Sequence, residues 1–223
     1  MKKLLVYSLR WQNLLVNFLV IVGAFLFGNV IHEIIMNSVG ADSVFPMGTF
    51  IGIMAIVIMG FLANWNEGVQ QFNLAISMGE TRRKFMISFA IQYLILNVLE
   101  WLLLFALYNI EKTKMSNVYR GIEVDLNLDM IFHPATFILV PLVIMSYGIL
   151  IAAIALKLGA NAKWIVMIVY LAICIGMSRI SDGAAVVRLI HLPVYAIIGL
   201  ICLICAVMLT VSVILIKKQQ VNV

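Results

Sequence analysis

The chain has 223 residues, of which 64% are hydrophobic and 11% charged, with a net charge of +5. Soluble domains carry roughly 25% charged residues, so this composition, with a mean hydropathy of +1.11, excludes an ordinary soluble domain and reads as an integral membrane protein. The positive balance does not call for a nucleic-acid partner, because the basic residues sit mainly at the ends of apolar segments, where membrane topology explains them.

Residues 2–17 read as an amphipathic lead-in. At about 100° per residue, Lys3, Arg10, Asn13 and Asn17 fall on one stripe, and Leu4, Trp11 and Leu15 share another. That pattern suits a helix lying at the membrane interface before the first span. Met1-Lys2-Lys3 resembles the start of a signal peptide, but Arg10, Gln12 and Asn13 interrupt the apolar run and no small-residue cleavage site follows, so the segment reads as retained.

Six spans are predicted, at roughly 14–36, 49–65, 86–109, 134–156, 164–177 and 193–216. The first is long enough for a hydrocarbon core of ~30 Å at about 1.5 Å per residue, and it carries His32 and Glu33 at its outer end. Gly48 and Gly52 form a G-x-x-x-G at the start of the second, a spacing that permits close helix packing. Pro134 opens the fourth span, where the first turn tolerates it. Pro141 inside that span predicts a kink, or compensation by neighbouring helices.

Two polar stretches interrupt the apolar pattern. One is NEGVQQFNLAISMGETRRKF, Asn66–Phe85, and the other is EKTKMSNVYRGIEVDLNLDMIFH; both read as loops between spans. Within the first, Val69, Phe72 and Ile76 are spaced as on a short amphipathic helix, Val69–Met78. Gly79 follows as a helix stop, and Thr81 as an N-cap for the third span. Six spans put both termini on one side. Of the fifteen Lys and Arg residues, ten lie at the termini and the loops that share their side, which places both termini and Asn66–Phe85 in the cytoplasm.

Two sets of residues invite a functional reading. Tyr93, Asn97, Glu100 and Tyr108 project within about 80° of one another on a helical wheel. A carboxylate at that depth costs on the order of 3 kcal/mol or more if it faces lipid, so this face points inward. It is either a pathway-lining stripe with Glu100 protonatable, or an interhelical hydrogen-bond seam with Glu100 neutral or paired to Arg179. The second set is the cluster Arg82, Arg83 and Lys84, which opens a helix where the backbone dipole disfavours cations by several tenths of a kcal/mol. Anionic lipid offsets that charge, but a helix, a glycine break and a basic start to a span make a shaped protrusion rather than a passive connector.

Six spans with cytoplasmic ends, the lead-in helix, and F-x-x-x-x-S-M-G-x-T-R-R-x-F from Phe72 to Phe85 resemble the permease subunits of bacterial type-2 ABC exporters. The resemblance implies an all-α, six-span permease domain in the bacterial cytoplasmic membrane, working as a homodimer or with a paralogous permease. It implies that the loop between the second and third spans is a coupling helix docking on a separate ATPase subunit, through Phe72, Ile76, Ser77, Met78, Gly79, Glu80, Thr81, Arg82 and Arg83. ATP and magnesium would then be bound by that partner, and amphipathic peptides, antibiotics or lipid-like molecules are the implied cargo. Where the family often has a re-entrant hairpin, Gly183–Leu192 is the place for one.

The chain has no G-x-x-x-x-G-K-[ST] of its own, so no phosphate-cradling loop is predicted, nor any cofactor bound directly. It also lacks H-E-x-x-H and G-x-S-x-G, and His32, His133 and His191 are too far apart in sequence to suggest a metal site. Cys174, Cys202 and Cys205 lie in apolar runs and read as buried structural residues. Three other readings stay open: a proton-coupled secondary carrier using Glu100, a non-transporting accessory or immunity protein, and a membrane-embedded enzyme acting on lipid or prenyl substrates. Against the carrier, no internal repeat relates the two halves of the chain.

Overall fold

The computed structural model describes residues 11–39, 43–77, 79, 81–118, 123–124, 131–159 and 194–217. Five helices account for nearly all of them: α1 (Trp11–Val39), α2 (Met47–Ser77), α3 (Arg82–Val118), α4 (Thr136–Leu158) and α5 (Val194–Lys217). Among the described residues, four stretches are long and apolar enough to cross a membrane, namely Leu14–Ser38, Arg82–Val118, Thr136–Leu158 and Ile198–Lys217. The protein is helical and membrane-embedded.

The helices run past the ends of the predicted spans wherever polarity and helicity part company. The hydrophobic pattern ends the second span at Trp65 and starts a separate short helix at Val69. Instead α2 runs unbroken from Met47 to Ser77, with a shorter apolar stretch, Met47–Gly60, at its start. The reason is that a polar residue ends a hydrophobic pattern without ending a helix. Between Phe61 and Ser77 there is no proline and only one glycine, Gly68, which a long helix tolerates. For the same reason α3 carries on past Asn109 to Val118, through Glu111, Lys112 and Lys114, which favour helix. Residues read as the first part of a long loop are therefore two further turns of α3.

A second correction concerns the loops themselves. Ser43–Val44 (β1) pairs in parallel with Glu123–Val124 (β2), Ser43 opposite Glu123 and Val44 opposite Val124. Residues 1–10 of the lead-in, the fifth predicted span and the segment proposed as re-entrant, Gly183–Leu192, lie outside the described residues. From Trp11 onward the chain is already part of α1.

The chain divides into two compact units, Met1–Leu62 with Ile87–Met145, and Ala63–Met86 with Ser146–Val223. In the first, Ile21, Ile56, Trp101, Leu104, Tyr108, Phe132 and Ile144 form one apolar cluster. Phe132, from the stretch read as loop, is its aromatic hub. Its ring lies 5.4 Å from that of Trp101, 5.5 Å from Phe105 and 4.8 Å from Tyr108, stacked on the last. Glycines let the helices of this unit close up. A Cβ on Gly28 of α1 would meet the Met47 carbonyl oxygen at 2.6 Å and the Gly48 Cα at 2.7 Å, backbone atoms that cannot move aside. A Cβ on Gly52 would meet Leu104 at 2.5 Å, so the G-x-x-x-G spacing does sit at a close contact.

In the second unit α4 buries Ser146, Ile149, Ala152, Ala153 and Ala155, whereas α5 buries only a narrow stripe that includes Cys205, Ser212 and Ile216. Cys202 is exposed, which corrects its reading as buried: about 60° round the helix from Cys205, it lies at the edge of that narrow stripe. Cys174 lies outside the described residues.

Candidate functional site

The turn joining α2 to α3, in the second unit, is built by a few specific residues. At its start the Gly79 N–H donates to the Ile76 carbonyl at 3.0 Å, and the Ser77 hydroxyl donates to the Leu74 carbonyl at 2.8 Å. Gly79 has φ +77°, in the left-handed region where a Cβ crowds the backbone and glycine is the usual helix stop. Thr81 then caps α3: its Oγ1 accepts from the Lys84 N–H at 3.4 Å and its carbonyl from the Phe85 N–H at 3.0 Å. Beneath the turn the rings of Phe72 and Phe85 meet edge to face at 5.4 Å, each 2% exposed.

These contacts sort the residues singled out from the sequence. Phe72 is inside, holding the two helices together, and Ile76 is half-buried. Ser77, Gly79, Thr81 and Arg83 are exposed. Met78 and Glu80 lie outside the described residues. Arg82 is set apart from its neighbours: it is partly buried, and its Nη1 donates to the Lys217 carbonyl at 2.9 Å. A cation at the last carbonyls of a helix is favoured by the dipole of that helix, so Arg82 caps the end of α5.

In the first unit, Tyr93, Asn97, Glu100 and Tyr108 are all buried on one face of α3. Glu100, 2% exposed, accepts a 2.8 Å hydrogen bond from Asn17 Nδ2 of α1. The periodicity of the lead-in puts Asn17 on the polar stripe of an interfacial helix. It faces inward instead, where its amide meets the carboxylate. Tyr93 packs against Phe89 at 4.4 Å between ring centroids, and Tyr108 stacks on Phe132 with Lys112 Nζ 5.9 Å above its ring. Arg179, the partner considered for Glu100 in one of the two readings of this stripe, lies outside the described residues. The buried Asn97 Nδ2 and Trp101 Nε1 have no hydrogen-bond acceptor among the described residues.

The sequence reading misses Glu111. This carboxylate, 1% exposed, accepts from the Gly48 N–H at 2.9 Å, from the Thr49 N–H at 2.8 Å and from the Thr49 hydroxyl. It is a cap for α2 supplied by another helix, satisfying amides that the first turn leaves without intrahelical partners. A signal for it exists: Glu111 continues the stripe three residues beyond Tyr108. Polarity hides it, because the apolar span ends at Asn109. Nearby, Lys114 Nζ donates to Glu33 Oε1 at 2.6 Å, an exposed pair.

Among the described residues, no three His, Cys, Asp or Glu side chains come together as metal ligands. His32 is buried, His133 is exposed, and His191 lies outside the described residues. Comparison of the chain with protein-family models, with curated proteins and with solved structures gives no match.

Proposed function

We propose that this chain is the permease subunit of an ATP-driven exporter of the bacterial cytoplasmic membrane, with six spans and both termini in the cytoplasm. What carries the reading is the turn at Gly79. It joins two long helices, is fixed by a left-handed glycine, a threonine cap and an aromatic clasp, and presents Ser77, Gly79, Thr81 and Arg83 outward. These caps fix the shape of the turn, so its outward face is firm enough for a partner to dock on. Because α2 continues unbroken into the turn, a push on the turn acts directly on the helix.

The chain supplies no ATP-binding motif. ATP and magnesium therefore belong to a separate ATPase subunit that meets the exposed face of the turn, and a second copy or a paralogous permease completes the pathway. The buried stripe of α3 serves as an interhelical seam, because Glu100 is engaged by Asn17 and the rings around it are packed. Co-expression with an ATPase encoded beside this chain tests the proposal. The expected result is a complex whose ATPase activity depends on the chain and is lost with Gly79→Pro. If no ATPase co-purifies, the reading fails.

A further inference from the structure

The bond from Arg82 to the Lys217 carbonyl brings the first turn of α3 against the last turn of α5. It thereby gathers four cations, Arg82, Arg83, Lys84 and Lys217, of which the last three are exposed. Among the described residues no carboxylate forms an ion pair with any of them; the ion pair found there is Glu33–Lys114, in the other unit. The imbalance extends to the whole unit. Residues 63–86 and 146–223 hold nine Lys and Arg against three Asp and Glu, while the remaining residues hold six against seven. The backbone offsets only part of this charge. The carbonyl end of α5 favours Arg82, but the amide end of α3 disfavours Arg83 and Lys84.

We infer that this corner is a binding surface for anionic phospholipid headgroups, with Arg82, Lys84 and Lys217 as its phosphate-facing cations. The exposed apolar face beside the cluster selects lipid over an acidic protein. Val211, Val213 and Ile214 are exposed apolar side chains within two turns of Lys217, so α5 passes from apolar surface to charge over about the distance that separates an acyl chain from its phosphate. Arg82 spends one donor on the Lys217 carbonyl and keeps the others for a phosphate oxygen. Basic residues just beyond a membrane helix are drawn to anionic lipid in this way. The inference does not depend on the exporter reading, since it needs no ATPase.

The purified full chain in a mild detergent is titrated with phosphatidylglycerol or phosphatidylcholine of the same acyl chains, and bound lipid is counted by native mass spectrometry. The wild type is expected to prefer phosphatidylglycerol by about tenfold or more. Lys84→Gln with Lys217→Gln, which leaves the backbone carbonyl for Arg82, is expected to remove most of that preference, and Lys112→Gln in the first unit to leave it unchanged. Should the double variant not fold, Lys217→Gln alone decides, with a smaller loss expected. Equal binding of both lipids by the wild type overturns the inference, as does a preference that survives these substitutions. Displacement of the lipid by millimolar inorganic phosphate would assign the corner to a free anion and overturn it too. So would binding of an acidic polyglutamate peptide in place of any lipid preference, which would assign the corner to a protein.

Discussion

Two helices of this protein begin in opposite electrostatic settings. At the start of α2, in the first unit, Glu111 accepts from the amides of Gly48 and Thr49, so a negative charge sits where the dipole wants one. At the start of α3, in the second unit, Thr81 supplies the cap, but Arg82, Arg83 and Lys84 follow it, which is the wrong sign for that end. The first arrangement is complete within the fold: donor, acceptor and charge all come from the chain, and all are buried. The second is left open to its surroundings. A helix start that is internally satisfied serves stability, whereas one that carries uncompensated, exposed charge is suited to meeting something outside the chain.

The largest expected effect lies on the closed side. Glu111→Ala leaves two buried amides and a hydroxyl without an acceptor, and each such group costs about 1–3 kcal/mol, so a loss of at least about 3 kcal/mol is expected. Glu111→Gln keeps one acceptor oxygen and should cost less than half as much. Unfolding in mixed micelles measures both. If Glu111→Ala is nearly neutral, the contrast between the two helix starts collapses.

Next is the turn. Proline cannot adopt the φ of +77° at Gly79 and would lose the N–H that bonds Ile76. Gly79→Pro should therefore cost about 3 kcal/mol locally, while Gly79→Ala, which meets no neighbouring atom, should cost only the left-handed strain of about 1 kcal/mol. Membrane insertion should survive both, because the helices on either side are intact. Comparing transport with ATP hydrolysis then shows whether the shape of the turn matters. If Gly79→Pro transports normally, the turn is only a connector.

A finer comparison separates two adjacent arginines. Arg82→Gln removes a cap from α5 and should destabilise by about 1 kcal/mol, whereas Arg83→Gln, on an exposed side chain, should stay within about 0.5 kcal/mol. Equal effects of the two would mean that the bond to the Lys217 carbonyl contributes nothing.

From sequence, Arg82 and Arg83 cannot be told apart, and that marks where legibility ends. Long apolar runs locate the four membrane-length helices among the described residues, because burial in lipid demands apolar side chains along the whole span. The stop at Gly79 and the cap at Thr81 are also readable, since both depend on local backbone chemistry. Helix ends are not. The expected boundaries at Trp65 and Asn109 follow polarity, but α2 and α3 continue through polar residues that favour helix just as well. Contacts across long sequence separations are out of reach: Asn17 on Glu100, Glu111 on Gly48, Phe132 under Tyr108, Arg82 on the end of α5. Each is made by a residue whose local pattern suggests a surface, a loop or a topology signal.

The smallest expected effect carries the most information about mechanism. Glu100 resembles Glu111 in being a buried carboxylate of α3 held by a donor from another helix. It differs in having a side-chain amide for that donor rather than a helix terminus. If Glu100 belongs to the closed class, Glu100→Gln should keep an acceptor for Asn17 and change stability by no more than about 0.6 kcal/mol, the average found for hydrogen bonds between membrane helices. Transport should then be unaffected. A proton-coupled carrier requires the opposite: a glutamine cannot give up a proton, so Glu100→Gln would abolish proton-coupled flux in a protein that is still folded. Proton uptake and stability measured on the same reconstituted variant distinguish the two. Normal transport with unchanged stability places Glu100 beside Glu111 as part of the frame and, on the exporter proposal, leaves the α2–α3 turn as the place where energy would enter.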